Sequence, residues 1–289
     1  MREASTRTTR SGSAKSRLPA DGFFAVDVGG SAVKSGLVVD GRVKALAREP
    51  VASDLDGLVT QLVRLADGRE WGLCVPGLIE EGTVRYAANL PLRDTRLVEL
   101  LSPPPKVFVN DLVAATVGEA AGGTLALLQV GTGIAARCAV DGRVASSPRS
   151  HAGEVGHLRF RDGGLRCRCG KRGCVEAYGA WGGILDRYAS EGRPEPTPAS
   201  VLGDTAILDD ALEAIGFAAA ALVAAWDPGT LRLGGGIAAA WGETLLEAVR
   251  SGLSERVLPS VAESTTVEPA RLGDSAALLG LAALARSPG

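Results

Sequence analysis

One imidazole and three thiols crowd a short, Gly-rich stretch: His157, then Cys167, Cys169 and Cys174. That is the number and type of ligands of a closed tetrahedral zinc site. The Cys-x-Cys step is tighter than the usual Cys-x-x-Cys, and free thiols on a loop are the alternative. An odd cluster points to metal before disulfides. Glu154 stands three residues before His157, close enough for both to face one ligand. Elsewhere an acid ends an apolar run and two glycines follow it, in Asp27-Val-Gly29-Gly30-Ser31-Ala-Val-Lys34. The glycines let backbone N–H groups approach an anion, Ser31 adds a hydroxyl, and the carboxylate can hold Mg²⁺ or its water. No Gly-Lys-Ser/Thr follows, so this is not a P-loop, and a plain Gly-Gly hairpin also fits. Gly131-Thr132-Gly133 repeats the device, and two such turns could grip one polyphosphate from both sides. Gly234-Gly235-Gly236 is a third such turn, suited to an adenosine or simply to a tight bend. Asn110-Asp111 places a carboxylate and an amide where a strand meets a helix, for chemistry or for capping.

The surrounding patterns say what must position these groups. Residues 23–28 read as a strand, followed after the glycines by a second around 36–39 and, past Asp40-Gly41, a third over 43–47. Apolar spacing predicts a helix over 54–66, buried strands at Trp71-Gly-Leu-Cys-Val and 106–109, and a helix over 111–121. Strands near 124–130, 134–140 and 143–146 follow, the last two joined by Asp141-Gly142, so the two Asp-Gly hairpins hint at a duplicated unit. Helices are expected over 174–189, 205–226, 236–252 and 275–286, with a strand at 230–233 and a surface loop at 190–200. Strands early and helices late in each half suit mixed α/β layers.

At 289 residues and 46% hydrophobic content the chain can fill two cores, which makes two lobes with a cleft the first expectation. The formal charge of −2 gives no field of one sign, arguing against nucleic acid or an acidic membrane surface and for a small-molecule partner. No apolar run is long enough for a membrane span or a secretory signal, so a cytoplasmic protein is expected. Residues 1–21 are rich in Ser, Thr and basic side chains, the composition of a disordered tail.

Taken together, the motifs resemble the ROK family of sugar kinases and repressors from about residue 22 to 286. DVGGSAVK is similar to the family's first phosphate motif and QVGTGIA to its second. The Val-Pro-Gly turn ending at Gly77 and Asn89-Leu-Pro resemble its sugar-contact turns. NDLVAATVGEA resembles its helix start, and HAGEVGH with CRCGKRGCVE its sugar-and-zinc signature. The resemblance implies a two-lobed, actin-like (sugar kinase/ribonuclease H-like) ATPase fold, with lobes at 22–111 and 112–289, a zinc loop at 157–174 and a last helix returning to the first lobe. It makes Asp111 the catalytic base. Gly77, Asn89, Asn110, Glu154, His157 and Glu176 would hold the sugar. Asp27, Gly29, Gly30, Ser31, Lys34, Gly131, Thr132, Gly133, Gly234, Gly235 and Gly236 would hold MgATP. His157, Cys167, Cys169 and Cys174 would bind a structural Zn²⁺, His157 serving metal and sugar with its two ring nitrogens.

A homodimer is common in the family. The implied reaction is ATP-dependent 6-phosphorylation of glucose or an amino-glucose relative such as kanosamine or glucosamine. N-acetylmannosamine or fructose as substrate, polyphosphate as donor, and a sugar-sensing regulator are the alternatives. Repressors of the family carry a DNA-binding winged helix ahead of the first motif, where about 20 polar residues stand here. Two departures stand out: Leu112-Val113 replace small residues after Asn110-Asp111, with consequences for the sugar pocket, and Ala135 replaces a glycine beside the nucleotide loop.

Overall fold

The apolar run that ends in Asp27-Val28 is strand β1 (Phe23–Val28), and it pairs antiparallel with β2 (Ala32–Val39), which pairs antiparallel with the exposed edge strand β3 (Arg42–Pro50). Asp40 and Gly41 both have positive φ, 49° and 69°, the conformation that lets a two-residue hairpin follow the natural twist of its strands. Helix α1 (Leu55–Ala66) starts where the Asp54 carboxylate accepts the Gly57 N–H at 2.8 Å, and it buries Leu58, Leu62 and Ala66 on one stripe. β4 (Trp71–Val75) then pairs parallel to β1. Three short strands, β5 (Leu78–Glu80), β6 (Thr83–Tyr86) and β7 (Arg93–Thr95), form a separate small sheet before β8 (Val107–Asn110) closes the main one in the order β3-β2-β1-β4-β8. We describe residues 22–87, 89–120, 123–145, 147 and 151–286 of this computed structural model, so the tail expected at 1–21 lies outside the described residues.

Helix α2 (Asp111–Ala120) leads to a repeat of the same topology. β9 (Leu125–Val130), β10 (Ile134–Val140) and β11 (Arg143–Val144) are antiparallel neighbours, and Asp141 and Gly142 again both have positive φ. After the cysteine-rich loop come α3 (Val175–Gly179), α4 (Trp181–Ser190), α5 (Pro198–Val201) and the long α6 (Thr205–Trp226). β12 (Thr230–Gly234) runs parallel to β9. α7 (Gly236–Trp241), α8 (Glu243–Arg256) and α9 (Pro259–Ser264) lead to β13 (Thr266–Pro269), which completes the order β11-β10-β9-β12-β13. Two five-stranded sheets of one topology are the duplicated unit of the actin-like architecture. No helix of the described residues is long and apolar enough to cross a membrane.

Two helices expected to be continuous are broken. The helix expected over 174–189 splits at Ala180, whose backbone is extended because Trp181 and Gly182 donate their N–H groups to the carbonyls of Gly131 and Thr132. The helix expected over 236–252 splits at Gly242, which has φ 51°. Both corrections come from backbone that leaves the helix to meet a neighbour or turn.

The last helix, α10 (Ala276–Arg286), packs along α2 and also touches β1, β2 and β4 of the first sheet. Small residues make this possible: a Cβ at Gly280 would overlap the Ala114 carbonyl, and one at Gly118 that of Ala276. The result is one apolar layer of Phe23, Ala25, Leu112, Ala114, Leu278 and Leu281 joining both sheets. Just ahead of α10, the buried Glu119 carboxylate accepts from Arg232 Nη1 at 2.9 Å and from the backbone N–H groups of Arg271 and Leu272. A buried ion pair of this kind is weak evidence for net stability, but it fixes geometry, here that of the segment delivering Asp274 to the cleft.

Candidate active site

The carboxyl ends of the parallel strands β1, β4 and β8 meet the first turn of α2 and the tips of the second sheet, and between them lies a cleft of about 810 Å³. This is where open α/β sheets take their ligands. On one wall, register places Asp27 opposite Lys34 on β2 and opposite Cys74 on β4. Lys34 Nζ lies 3.3 Å from Asp27 Oδ2 and 3.0 Å from Asp274 Oδ1, and the Cys74 thiol donates to Asp27 Oδ1 at 3.4 Å. Burial would lower the Lys34 pKa, but the charges of Asp27 and Asp274 outweigh it and the value is raised. Burial, with the charges of Asp27 and Asp111, pushes the Cys74 thiol well up, so it stays a protonated donor.

Facing this wall is the turn Gly131-Thr132-Gly133, closed by Gly131 N–H to the Gly133 carbonyl at 3.0 Å and exposing its Thr132. Two links hold it. Trp181 donates its N–H to Gly131 O at 2.8 Å, and Glu176 Oε2 accepts the Ile134 N–H at 3.0 Å. Glu176 therefore joins the turn to the floor of the cleft.

At the head of α2 the division of labour between Asn110 and Asp111 is legible in the bonds. Asn110 Oδ1 accepts from the N–H groups of Leu112 (3.0 Å) and Val113 (3.2 Å), and its Nδ2 donates to the Gly77 carbonyl at 2.9 Å. Capping is thus carried by Asn110. Asp111 accepts one N–H, from Leu112 at 2.8 Å, and lines the cleft with the rest of its carboxylate. Burial first, then the charge of Asp27, raise its pKa to about 6, against the lowering effect of the Leu112 N–H and Arg137. A carboxylate tuned toward neutrality in a cleft is equipped to take a proton. Gly77 has φ 98°, and a Cβ there would overlap the Tyr86 carbonyl, so this turn can approach Asn110 only as glycine.

The four candidate metal-binding side chains also converge. The donor atoms of His157, Cys167, Cys169 and Cys174 all lie within 4.8 Å of one another, with Cys169 Sγ 3.7 Å from Cys174 Sγ and His157 Nδ1 3.8 Å from Cys167 Sγ. Zinc bonded tetrahedrally to sulfur at about 2.3 Å would set its sulfurs about 3.8 Å apart, so the donors fit that ion in number, chemistry and spacing. His157 also lines the cleft, which ties the cluster to it.

A sequence model of the ROK family matches residues 23–287. The chain belongs to the ROK family. This ROK protein is 27% identical over 308 residues to the glucokinase of Halalkalibacterium halodurans, covering 89% of this chain and 93% of that protein. It is 30% identical over 248 residues to the xylose repressor of Caldicellulosiruptor bescii, which takes in 74% of this chain and 61% of the repressor. Among solved structures, the ROK hexokinase of Thermus thermophilus matches with a TM-score of 0.78 and 29% identity, over 90% of this chain and 96% of that one.

Within the ROK chain most of the residues singled out from sequence border one cleft: Asp27, Gly30, Lys34, Gly77, Asn89, Asn110, Asp111, Gly131, Thr132, Gly133, Glu154, His157 and Glu176. Asn89 sits on an exposed turn against the Gly29-Gly30 turn, where a Cβ at Gly30 would come 2.9 Å from its own Cβ. Gly29 shapes that turn by donating to Ala32 O at 2.8 Å, and Ser31 is exposed beside it. The Gly234–Gly236 turn backs the Gly131 turn, with Gly236 N 3.8 Å from where a Gly131 Cβ would stand. Leu112 and Ala135 line the cleft. Sequence reasoning missed three cleft residues. Asp274 carried no signal, His151 opens the HAGEVGH motif but was given no role, and Arg137 is the one charge in the otherwise apolar strand Ile134–Val140.

Proposed function

We propose that this chain transfers the γ-phosphoryl group of ATP to the 6-hydroxyl of glucose or a glucose-like amino sugar, with Asp111 as general base. The chain is a sugar kinase, and its reaction is read from the cleft. The observation that carries the reading is Asp111, released from capping duty by Asn110 and held at a pKa of about 6 between the two glycine turns. The sugar hydroxyl gives its proton to Asp111 as its oxygen bonds to the γ-phosphorus, and the bond to ADP breaks. Asn89, Glu154, Glu176 and His157 orient the ring, while Gly30, Thr132 and Gly133 present backbone and hydroxyl donors to the phosphates and Gly131, whose N–H closes the turn, shapes it. Positioning and charge stabilisation supply most of such a rate enhancement. Asp27 is placed to hold a Mg²⁺ ion or its water; the ion, when bound, neutralises charge on the phosphates. The Cys₃His cluster would hold a structural Zn²⁺, which would fix His157 at the cleft wall without entering the chemistry.

Ionised Asp111 is the working form, so kcat/KM is expected to be level above pH 7 and to fall about tenfold per pH unit below about 6. Steady-state rates from pH 5 to 9 check this; a profile flat to pH 5 is incompatible with a base of that pKa.

The sugar is selected by polar groups that bound sugar would cover and that would then each need a partner, and such sites reject analogues that leave one unpaired. Glucose, kanosamine and glucosamine are therefore expected to exceed N-acetylmannosamine and fructose in kcat/KM. Assaying all five sugars with ATP and with polyphosphate tests substrate and donor together. Preference for fructose or N-acetylmannosamine would overturn the ranking, and activity confined to polyphosphate would overturn the donor.

A further inference from the structure

Arg137 takes no part in that chemistry, yet it is a buried cation that lines the cleft. It sits in the middle of β10 with 5% of its surface exposed, among residues otherwise as small or apolar as Ile134, Ala136 and Cys138. A guanidinium is costly to bury and persists where its donors are matched by fixed acceptors. Here Nη1 donates to the carbonyl of Ala136 at 2.8 Å and to that of Ala152. Ala152 belongs to the loop that carries Glu154 and His157, and the same loop is held a second time where Ala136 N–H donates to Gly153 O at 2.7 Å. The approach is so close that a Cβ at Gly153, whose φ is 81°, would overlap the Ala136 carbonyl. The two strongest charges acting on the guanidinium are those of Glu154 and Asp111, one group read as a sugar contact and the other as the base.

We propose that Arg137 is a positioning residue, which clamps the loop 151–157 onto β10 so that Glu154 meets the sugar and which sets a fixed positive charge beside Asp111. The inference rests on the reading of Asp111 as base. Two consequences separate it from a purely structural staple. Its charge holds the Asp111 pKa below where burial and Asp27 would otherwise put it. Its Nη1 reaches the loop carbonyl of Ala152 from the end of a rigid planar group, a geometry that a lysine, with a flexible stem and one compact ammonium, reproduces poorly. The charged groups facing Asp111 are Asp27 from β1 and Arg137 from β10, with the protonated Cys74 thiol from β4. Lys34 from β2 and Asp274 ahead of α10 pair with each other and, through Lys34, with Asp27. Glu154, His151 and His157 from the loop and Glu176 from α3 complete the wall.

The test is the pH dependence of kcat and of the sugar KM, with thermal denaturation, for the wild type, Arg137→Met, Arg137→Lys and Asp111→Asn. Arg137→Met removes the charge and keeps the length. The acid limb of its kcat/KM is expected to move from near pH 6 to about pH 7. Its sugar KM should rise about tenfold or more, since misplacing a contact by an ångström is costly. Arg137→Lys should keep the limb near pH 6 while its KM rises. A Met variant with the wild-type limb and wild-type KM overturns the proposal, as does a limb that moves equally in both variants. Should the Met variant fail to fold, the Lys variant decides: a raised KM at an unmoved limb supports the clamp, and a wild-type KM overturns it. The Asp111→Asn profile keeps the two readings apart. A limb near pH 6 that survives that substitution refutes Asp111 as the titrating base, whereas one that vanishes there but stays put in Arg137→Met refutes only the role of Arg137.

Discussion

Asp111→Asn is expected to lower turnover by about 10²–10⁴ while sugar affinity changes only a few-fold, because the amide keeps the size and the Leu112 contact of the carboxylate but cannot accept a proton. Stability provides an independent sign. The folded protein raises this acid from its ordinary 3.8 to about 6. A raised acid contributes stability below its unfolded pKa, and that contribution is lost as pH rises through the folded value. Above about pH 6 the wild type therefore carries a buried ionised carboxylate that the Asn variant lacks. The variant should be at least as stable as the parent at pH 8, with that advantage gone below about pH 4. Steady-state kinetics, calorimetric sugar titration and denaturation at the two pH values check the three parts. Near-normal turnover would reduce Asp111 to a helix-start residue, a duty that the bonds already assign to Asn110.

The second large effect lies at the Cys₃His cluster. Cys167→Ser or Cys174→Ser removes a buried ligand, and the loop that presents His157 and Glu154 loses its anchor. Melting temperature and sugar affinity should fall together, the sugar KM rising about 10–100-fold as when supporting contacts of a metal site are lost. Prolonged chelation of the wild type should reproduce both changes. Elemental analysis of the purified protein should find about one zinc per chain; fully active protein without zinc would refute the structural role.

What the sequence showed and what it hid divide along a physical line. Local chemistry was legible. The Asp-Gly hairpins at 40–41 and 141–142 need only their own positive φ, and the helix at 55–66 needs only its cap and apolar stripe. Convergence of His157 with the three cysteines was readable from residue type and the family resemblance, although the tight Cys-x-Cys spacing alone left free thiols open. Features made by tertiary contact were not. The small sheet of β5, β6 and β7 has strands of three or four residues, too short to show alternation. The break at Ala180 exists because Trp181 and Gly182 bond to the Gly131 turn, an event no helical periodicity reports. Asp274 reaches Lys34 from 240 positions away because Glu119 fixes the intervening backbone, and nothing near Asp274 announces it. Arg137 was the recoverable miss, since a lone charge inside an apolar strand is costly unless it is used.

The central claim is that this cleft moves a phosphoryl group from ATP to the 6-hydroxyl of a glucose-type sugar. Phosphorus and carbon NMR of a reaction containing the protein, ATP, Mg²⁺ and glucose tests it most directly. The account predicts one ADP for each sugar phosphate formed, with phosphorus coupled to carbon 6. Sugar binding without any sugar-dependent release of ADP, or phosphate attached at another carbon, would contradict it.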